Sequence, residues 1–427
     1  MGAFIILAAA ALLTAKACWQ TLLAVLNRTR ALNSMHSPPD TVLKVMDQKT
    51  YDRSVDYTLA RNRLELLSIW YGTVLLAVIL FSGILPWFYH HFFEAGSEVH
   101  VLRESLFLAA IYLVFFLTGL PLDYYSSFRL EERFGFNKST IGLWISDQFK
   151  SLVIGLVIAV PLLSLIIWLI IMAGSLWWIW AFALVFLFQL VMMVLYPMLI
   201  LPLFNKLTPL PDPELRQRLM NLADRAGFKA RTIQVMDGSK RSGHSNAFFT
   251  GFGRFRRIIV FDTLVEQLDP LELEAVLAHE IGHYKKGHVP RMLALSAVML
   301  LAGFALAAWL LETPAFIQAF GFQPEHAGPA PALLLFALLV GVVTFWLSPL
   351  LGALSRKHEY QADSFAAKHT GGVEPMVKAL TRLGTENLAN LTPHPLYSGF
   401  YYSHPTLMER ISALELAAEG KEIPPPA

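Results

Sequence analysis

His279-Glu280-Ile281-Gly282-His283 sets two imidazoles four residues apart with a carboxylate beside the first. On a helix those imidazoles share one face and can grip one zinc ion. Glu280 then lies next to the metal's open position, where a general base could take a proton from an activated water. This is metallopeptidase chemistry. The flanks favour a helix: Asp269-Pro270-Leu271-Glu272 reads as N-cap, first-turn proline and capping-box carboxylate, with Leu273, Val276, Leu277 and Ile281 as an apolar face behind the histidines. Gly287 and Pro290 are expected to end it.

Zinc needs a third protein ligand. The elongated three-histidine pattern would require glycine at Lys286 and histidine at Val289, so a downstream carboxylate is expected instead. Glu359, within Ser355-Arg356-Lys357-His358-Glu359-Tyr360-Gln361-Ala362-Asp363, is the best candidate. Asp363 follows one helical turn later, where a second carboxylate could accept the free N–H of a ligand histidine and fix its orientation.

The elements that must position these residues lie in a membrane. Hydrophobic residues make up 55% of the chain and charged ones 15%, with a mean hydropathy of +0.50, outside the balance of water-soluble domains. Seven stretches are long enough to cross a bilayer, near 3–26, 66–88, 105–122, 151–172, 176–201, 291–311 and 331–353. Only Ala173-Gly174-Ser175 separates the fourth from the fifth, which predicts a tight helical hairpin. The first stretch reads as a retained span, because Arg28 and Arg30 follow its apolar run where a secretory signal would carry its charge before it.

Lysine and arginine concentrate in loops 27–65, 123–150 and 202–290, whereas 89–104 has only Arg103 and 312–330 has none. By the positive-inside rule the N-terminus is outside, and the zinc helix and C-terminal part are cytoplasmic. A net charge of +2 with no basic-aromatic surface gives no support for nucleic-acid binding. Cys18, the sole cysteine, excludes internal disulfides and a cysteine zinc site. The tail Pro424-Pro425-Pro426-Ala427 is expected to fray.

The chain thus divides into an N-terminal membrane region of five spans (1–201), a zinc-peptidase core (202–290), two further spans (291–353) and a C-terminal helical part that completes the site (354–427). Within the core, a helix is expected over Pro213–Ala226, a strand over Thr232–Met236, and a hairpin of His244–Thr250 with Arg257–Phe261 turning through Gly251-Phe252-Gly253. A free strand edge beside such a site could pair with an extended peptide by backbone hydrogen bonds; a purely structural hairpin fits the periodicity equally.

Together with the zinc motif and the Ser355–Asp363 segment, several further stretches carry a resemblance. They are Pro121-Leu122-Asp123-Tyr124-Tyr125, Phe134-Gly135-Phe136-Asn137-Lys138-Ser139-Thr140, Pro202-Leu203-Phe204-Asn205-Lys206, Ser245-Asn246-Ala247-Phe248 and Tyr402-Ser403-His404-Pro405-Thr406. In this order they resemble the CAAX prenyl protease 1 family of integral-membrane zinc metallopeptidases, which includes the yeast a-factor-processing enzyme. The resemblance implies one zinc ion on His279, His283 and Glu359, with Glu280 as base and Asp363 at a second acidic position, as proton donor or as orienter of a ligand. It implies Asn246, Ala247 and Phe248 as a substrate-binding edge, and His404 and Arg410 near the metal and the scissile carbonyl. It further implies a mainly α fold, a barrel of seven transmembrane helices enclosing a chamber, capped by a cytoplasmic zinc domain with a small β-sheet. Lys16, Asp147 and Lys150 would fit such a chamber, interfacial snorkelling being the alternative for the last two.

Partners implied are a peptide or protein substrate, prenylated or membrane-embedded, and the lipid bilayer. Short loops and no organelle-retention signal favour a bacterial inner membrane, or the endoplasmic reticulum in a eukaryote. Competing readings are a membrane-protein quality-control protease and, more remotely, a transporter or channel, which would not account for a full zinc set. An intramembrane-cleaving metalloprotease would place the motif within an apolar span, whereas Tyr284-Lys285-Lys286 follows it here.

Overall fold

The computed structural model describes residues 1–92, 100–229, 232–250 and 257–421. The expected turn at Gly251-Phe252-Gly253 and the terminal prolines lie outside the described residues. Among the described residues, seven helices are long and apolar enough to cross a bilayer. The first five are α1 (Gly2–His36), α2 (Gln48–Phe81), α3 (Val101–Tyr125), α4 (Ile141–Met172) and α5 (Trp177–Leu195). After the core that carries the histidine motif come α8 (His288–Leu311) and α9 (Ala330–Thr344), the latter continued by α10 (Ser348–His369).

Several helices outrun the apolar stretches seen in sequence. At 1.5 Å per residue the 34 residues of α2 span roughly 50 Å against a hydrocarbon core of about 30 Å. Their polar ends therefore project beyond it towards the core that carries the histidine motif. The second span also ends earlier than expected, at Phe81 rather than residue 88, because Gly83 takes φ +79° and turns the chain into a separate short helix, Ile84–Phe92. The α4–α5 hairpin turns through Gly174 at φ +59°, as expected.

Neighbouring helices form a closed ring in the order α2, α1, α9, α8, α5, α4, α3 and back to α2 through the π-helical turn Ser126–Glu131 that extends α3. At the end remote from the metal motif the ring is drawn together by Glu104, which is buried and accepts hydrogen bonds from the Tyr89 hydroxyl (2.7 Å) and the Ala330 N–H (2.8 Å). Gly328 admits no side chain there, since a Cβ would run into the Glu104 carboxylate. An apolar cluster that includes Leu80, Phe107, Phe320 and Leu335 surrounds this tie.

The core outside the membrane helices carries a four-stranded sheet. Its strands are β1 (Leu207–Pro209), β2 (Thr232–Met236), β3 (Ala247–Thr250) and β4 (Arg257–Phe261), in the order β1-β2-β4-β3. β2 and β4 are parallel, and the two outer pairs are antiparallel. Among the described residues, β3 therefore has one edge without a partner strand. β1 is absent from the sequence reading because three residues ending in proline give no period-2 signal, and an edge strand tolerates that proline.

Between β1 and β2 lies α6 (Pro213–Arg225), and after β4 comes α7 (Pro270–Lys285), the helix of the histidine motif. α11 (Glu374–Glu386), α12 (Pro395–Tyr401) and α13 (Leu407–Ala418) close the chain. One apolar core, containing Leu219, Phe228, Ile258, Leu277, Ile281, Leu380 and Leu414, joins sheet, α6, α7, α11 and α13.

Of the polar residues expected in a chamber, Asp147 ties a membrane helix to the core and Lys150 ties α4 to the end of the fifth span. Asp147 on α4 receives Arg241 Nε and Nη2 at 2.7 and 3.1 Å, and Lys150 reaches the Leu203 carbonyl at 3.2 Å. The reason is that α4 begins at Ile141, a full ten residues before its apolar stretch, so both lie where the core meets the helices. Lys16 lies 3.4 Å from the Gly341 carbonyl and 5.4 Å from the Phe345 ring centroid, linking α1 to α9.

Candidate metal and peptidase site

α7 starts with the capping box expected from its sequence: the Asp269 side chain accepts from the Leu271 and Glu272 N–H groups, and the Glu272 carboxylate accepts from the Asp269 N–H at 3.0 Å. From Leu273 to His279 every residue is buried, so α7 is enclosed on all sides rather than presenting a single apolar stripe. The partner that matters most is α10. A Cβ on Gly282 would lie 3.1 Å from both the Ala362 Cα and the Phe365 Cβ, so the two helices pack more closely than a side chain here would comfortably permit.

That approach brings Glu359 of α10 to the histidines. Its Oε2 lies 3.4 Å from His279 Nε2, its Oε1 lies 3.2 Å from His283 Nε2, and the two Nε2 atoms are 3.1 Å apart. All three ligand atoms fall within 4.8 Å of one another. Glu359 Oε2 is buried without a hydrogen-bond donor, and two nitrogens with one carboxylate are a donor set suited to a divalent transition metal. The residues therefore fit a metal ion.

Around these three, side chains fix orientation. Asp363 sits 2.7 Å from His279 Nδ1 and takes a two-point ion pair from Arg410, whose Nη2 and Nε lie 2.6 and 2.9 Å away. Burial opposes charge on His279, but the Asp363 and Glu359 carboxylates outweigh it and hold the imidazole up at about 9. A metal cation held here would bind His279 in competition with a proton. Glu280, the motif's carboxylate, is pushed above its usual range by burial, towards the range useful to a general base.

Arg410, expected near the metal and the scissile carbonyl, is anchored on Asp363. It is 12% exposed, its Nε and Nη2 bond Asp363, and its Nη1 lies 4.0 Å from Glu359 Oε2. Its position is set by the capping box of α13, in which the Thr406 N–H donates to Glu409 and the Glu409 N–H to Thr406. His404 just precedes that helix. Its ring is 62% exposed and its Nε2 is 3.5 Å from Glu359 Oε1. Arg356 of α10 holds the preceding loop through the Gly399 and Tyr402 carbonyls.

β3 packs its inner residues Ala247 and Phe249 against the core around α7. The Asn246 carbonyl accepts from the Phe261 N–H, and Ala247 is paired with Val260. In an antiparallel ladder this phase turns the Ala247 N–H and C=O away from β4, to the open edge. The Ala247 N–H is meanwhile held by the Asn246 side chain at 2.8 Å. The approach to the strand is fixed by His244, whose ring stacks on Phe136 and hydrogen-bonds Asn387 and Glu131.

Sequence reasoning missed His288, Gln361 and Gly282. His288 Nδ1 lies 3.0 Å from His283 Nδ1, and its Nε2 lies 2.9 Å from Gln361 Oε1. Nothing in the spacing announced this, because the contact depends on a chain reversal at Gly287.

A buried histidine-carboxylate cluster that fits a metal, with an adjoining acid, a free strand edge and a ring of membrane helices, belongs to the class of integral-membrane metalloproteases. Comparisons with known proteins narrow this. Residues 28–206 match the family described as CAAX prenyl protease N-terminal, five membrane helices, and residues 209–418 match Peptidase family M48. CAAX prenyl protease 1 of Saccharomyces cerevisiae is 37% identical, covering 90% of each chain. The homologs of Arabidopsis thaliana and Homo sapiens are 36% and 31% identical over 90% and 93% of this chain and 92% of each relative. A crystal structure of S. mikatae Ste24p superposes with a TM-score of 0.89 at 34% identity, covering 95% of this chain and 98% of that one. The chain belongs to the CAAX prenyl protease 1 group of peptidase family M48 and is an integral-membrane metalloprotease.

The Gly282 contact yields a direct expectation. Gly282→Val should overpack the α7–α10 seam, lower stability by about 1–3 kcal/mol and reduce bound metal per chain, read by thermal unfolding and elemental analysis. Wild-type metal content with unchanged stability would mean that the seam does not set the ligand spacing.

Proposed function

We propose that this chain is a zinc endopeptidase that cuts peptides near the C-terminus of prenylated CAAX-type substrates. The observation that carries the reading is the convergence of His279, His283 and Glu359 beside Glu280. The substrate class rests on likeness to relatives named CAAX prenyl protease 1. A zinc ion held by His279, His283 and Glu359 would supply a Lewis acid for carbonyl polarisation and water activation.

The protein's own groups do the rest. Glu280 takes the proton of the attacking water and returns it to the leaving amine. Asp363, kept in place by Arg410, accepts from His279 Nδ1–H and so leaves Nε2 free to ligate. His404 offers an N–H to the oxygen that gains negative charge. The peptide adds as a strand to β3, replacing the Asn246 side chain at the Ala247 N–H, with Phe248 part of the same edge.

For topology we take the N-terminus as outside and the zinc core and C-terminal part as cytoplasmic, supported by the basic loops 27–65, 123–150 and 202–290. The inner membrane of a bacterium, or the endoplasmic reticulum of a eukaryote, would suit this arrangement. The division into spans 1–201, core 202–290, spans 291–353 and site-completing part 354–427 has its last boundary within α10.

Base and ligand are separable. Glu280→Ala should lower peptide hydrolysis by about 10²–10⁴-fold with zinc content unchanged, whereas Glu359→Ala should lower zinc content as well. Normal hydrolysis in the first variant removes Glu280 from the mechanism, and full zinc occupancy in the second points to another ligand.

Edge pairing is probed by Ala247→Pro, which deletes the outward N–H without touching the β3–β4 ladder. Cleavage should fall severely at normal zinc content; unchanged kinetics would rule out strand addition at this position.

On a Cys18→Ser background, Gln323→Cys should react with an impermeant maleimide from outside and Lys240→Cys should not. The reverse pattern inverts the topology.

A further inference from the structure

α7 ends at Lys285 and α8 begins at His288, with Gly287 between them at φ +68°. This left-handed turn folds His288 back against the last turn of α7. The His288 side chain is buried, at 3% exposure, and its ring stacks on His358 with centroids 4.0 Å apart and planes 13° apart. It is thus held firmly by packing, yet it is no member of the ligand cluster.

Its two nitrogens face two different groups, and together they define a direction for protons. Nδ1 lies 3.0 Å from His283 Nδ1, so one of these two nitrogens must donate and the other accept. Nε2 lies 2.9 Å from Gln361 Oε1, an oxygen that can only accept. His288 Nε2 therefore carries hydrogen, which leaves neutral His288 with a bare Nδ1. That atom accepts the His283 Nδ1–H, and His283 Nε2 is left bare and pointing at Glu359.

We propose that His288 and Gln361 are positioning residues that hold His283 in its metal-ligating tautomer, a neutral counterpart to Asp363 on His279. This rests on His279, His283 and Glu359 being the metal ligands. One helix, α10, then supplies the ligand Glu359 and both orienting groups, Gln361 and Asp363, within five residues. The two relays differ in chemistry but not in net charge. His279 is backed by a carboxylate already neutralised by Arg410, and His283 by an imidazole and an amide, so neither relay adds net charge beside a dication.

The opposite orientation of the Gln361 amide would donate to His288, reverse both tautomers and put a hydrogen on His283 Nε2, where it would block ligation. The sign of the effect at position 361 is therefore diagnostic. In the full-length protein in detergent, zinc affinity is measured by competition with a chelator. Gln361→Glu, acceptor only, should keep affinity at or above wild type, whereas Gln361→Lys, donor only, should weaken it.

His288→Leu should weaken zinc binding about 10–100-fold, and His288→Asn, whose amide oxygen can occupy the Nδ1 position, should restore most of it. Thermal unfolding of the zinc-free variants separates loss of ligand orientation from loss of fold, and the position-361 pair decides the matter if His288→Leu does not fold. Wild-type affinity in folded His288→Leu, or equal losses in Gln361→Glu and Gln361→Lys, would overturn the assignment. A wild-type chain that binds no zinc would instead defeat the metal-site reading beneath it.

Discussion

Everything at this site depends on how closely α7 and α10 approach at Gly282 and Ala362. Imidazoles one helical turn apart can meet a carboxylate from another helix only if the two axes come nearer than ordinary side chains allow. Glycine at the contact provides that distance. The seam also gives α10 a second task, since the same helix that ends the last membrane span carries Glu359, Gln361 and Asp363 into the core. A shift of the membrane helices is thereby a shift of Glu359 against the histidines.

The buried charges form a graded set rather than a list of pairs. Glu359 has no hydrogen bond at one oxygen and faces the histidines, Asp363 is shared between His279 and Arg410, and Glu280 sits in a site whose burial disfavours its charge. Removing one member of such a set leaves another buried and uncompensated, which costs more than the pair itself contributes. Arg410 illustrates this, because its loss would leave Asp363 charged and buried beside His279. Its place is therefore structural.

The membrane ring and the core are joined by particular contacts rather than by a flexible linker. Arg241 on Asp147, Phe136 on His244 and Arg356 on the loop before His404 each tie a membrane-helix residue or its connecting loop to a segment of the site. At the far end, Glu104 draws α3 and α9 together. Ring and core thus constrain one another from opposite ends.

What the sequence determined was local or periodic. The capping box at Asp269, the histidines one turn apart, the seven apolar stretches, strand Thr232–Met236 and the edge strand leading to Thr250 follow from hydrogen-bonding chemistry and repeat lengths that act over a few residues. Helix lengths were less legible, since helices continue past the hydrocarbon boundary that sets the apolar signal, and Gly83 cut the second span short. Only the tertiary structure decided the contacts between distant segments: Asp147 and Lys150 as staples, Arg410 on Asp363, and His288 between His283 and Gln361. These join residues from five to 94 positions apart through a glycine turn, a helix seam and a domain junction. No residue's own type specifies such a partner, because orientation in a buried network is set by whichever donor or acceptor the packing brings within about 3 Å.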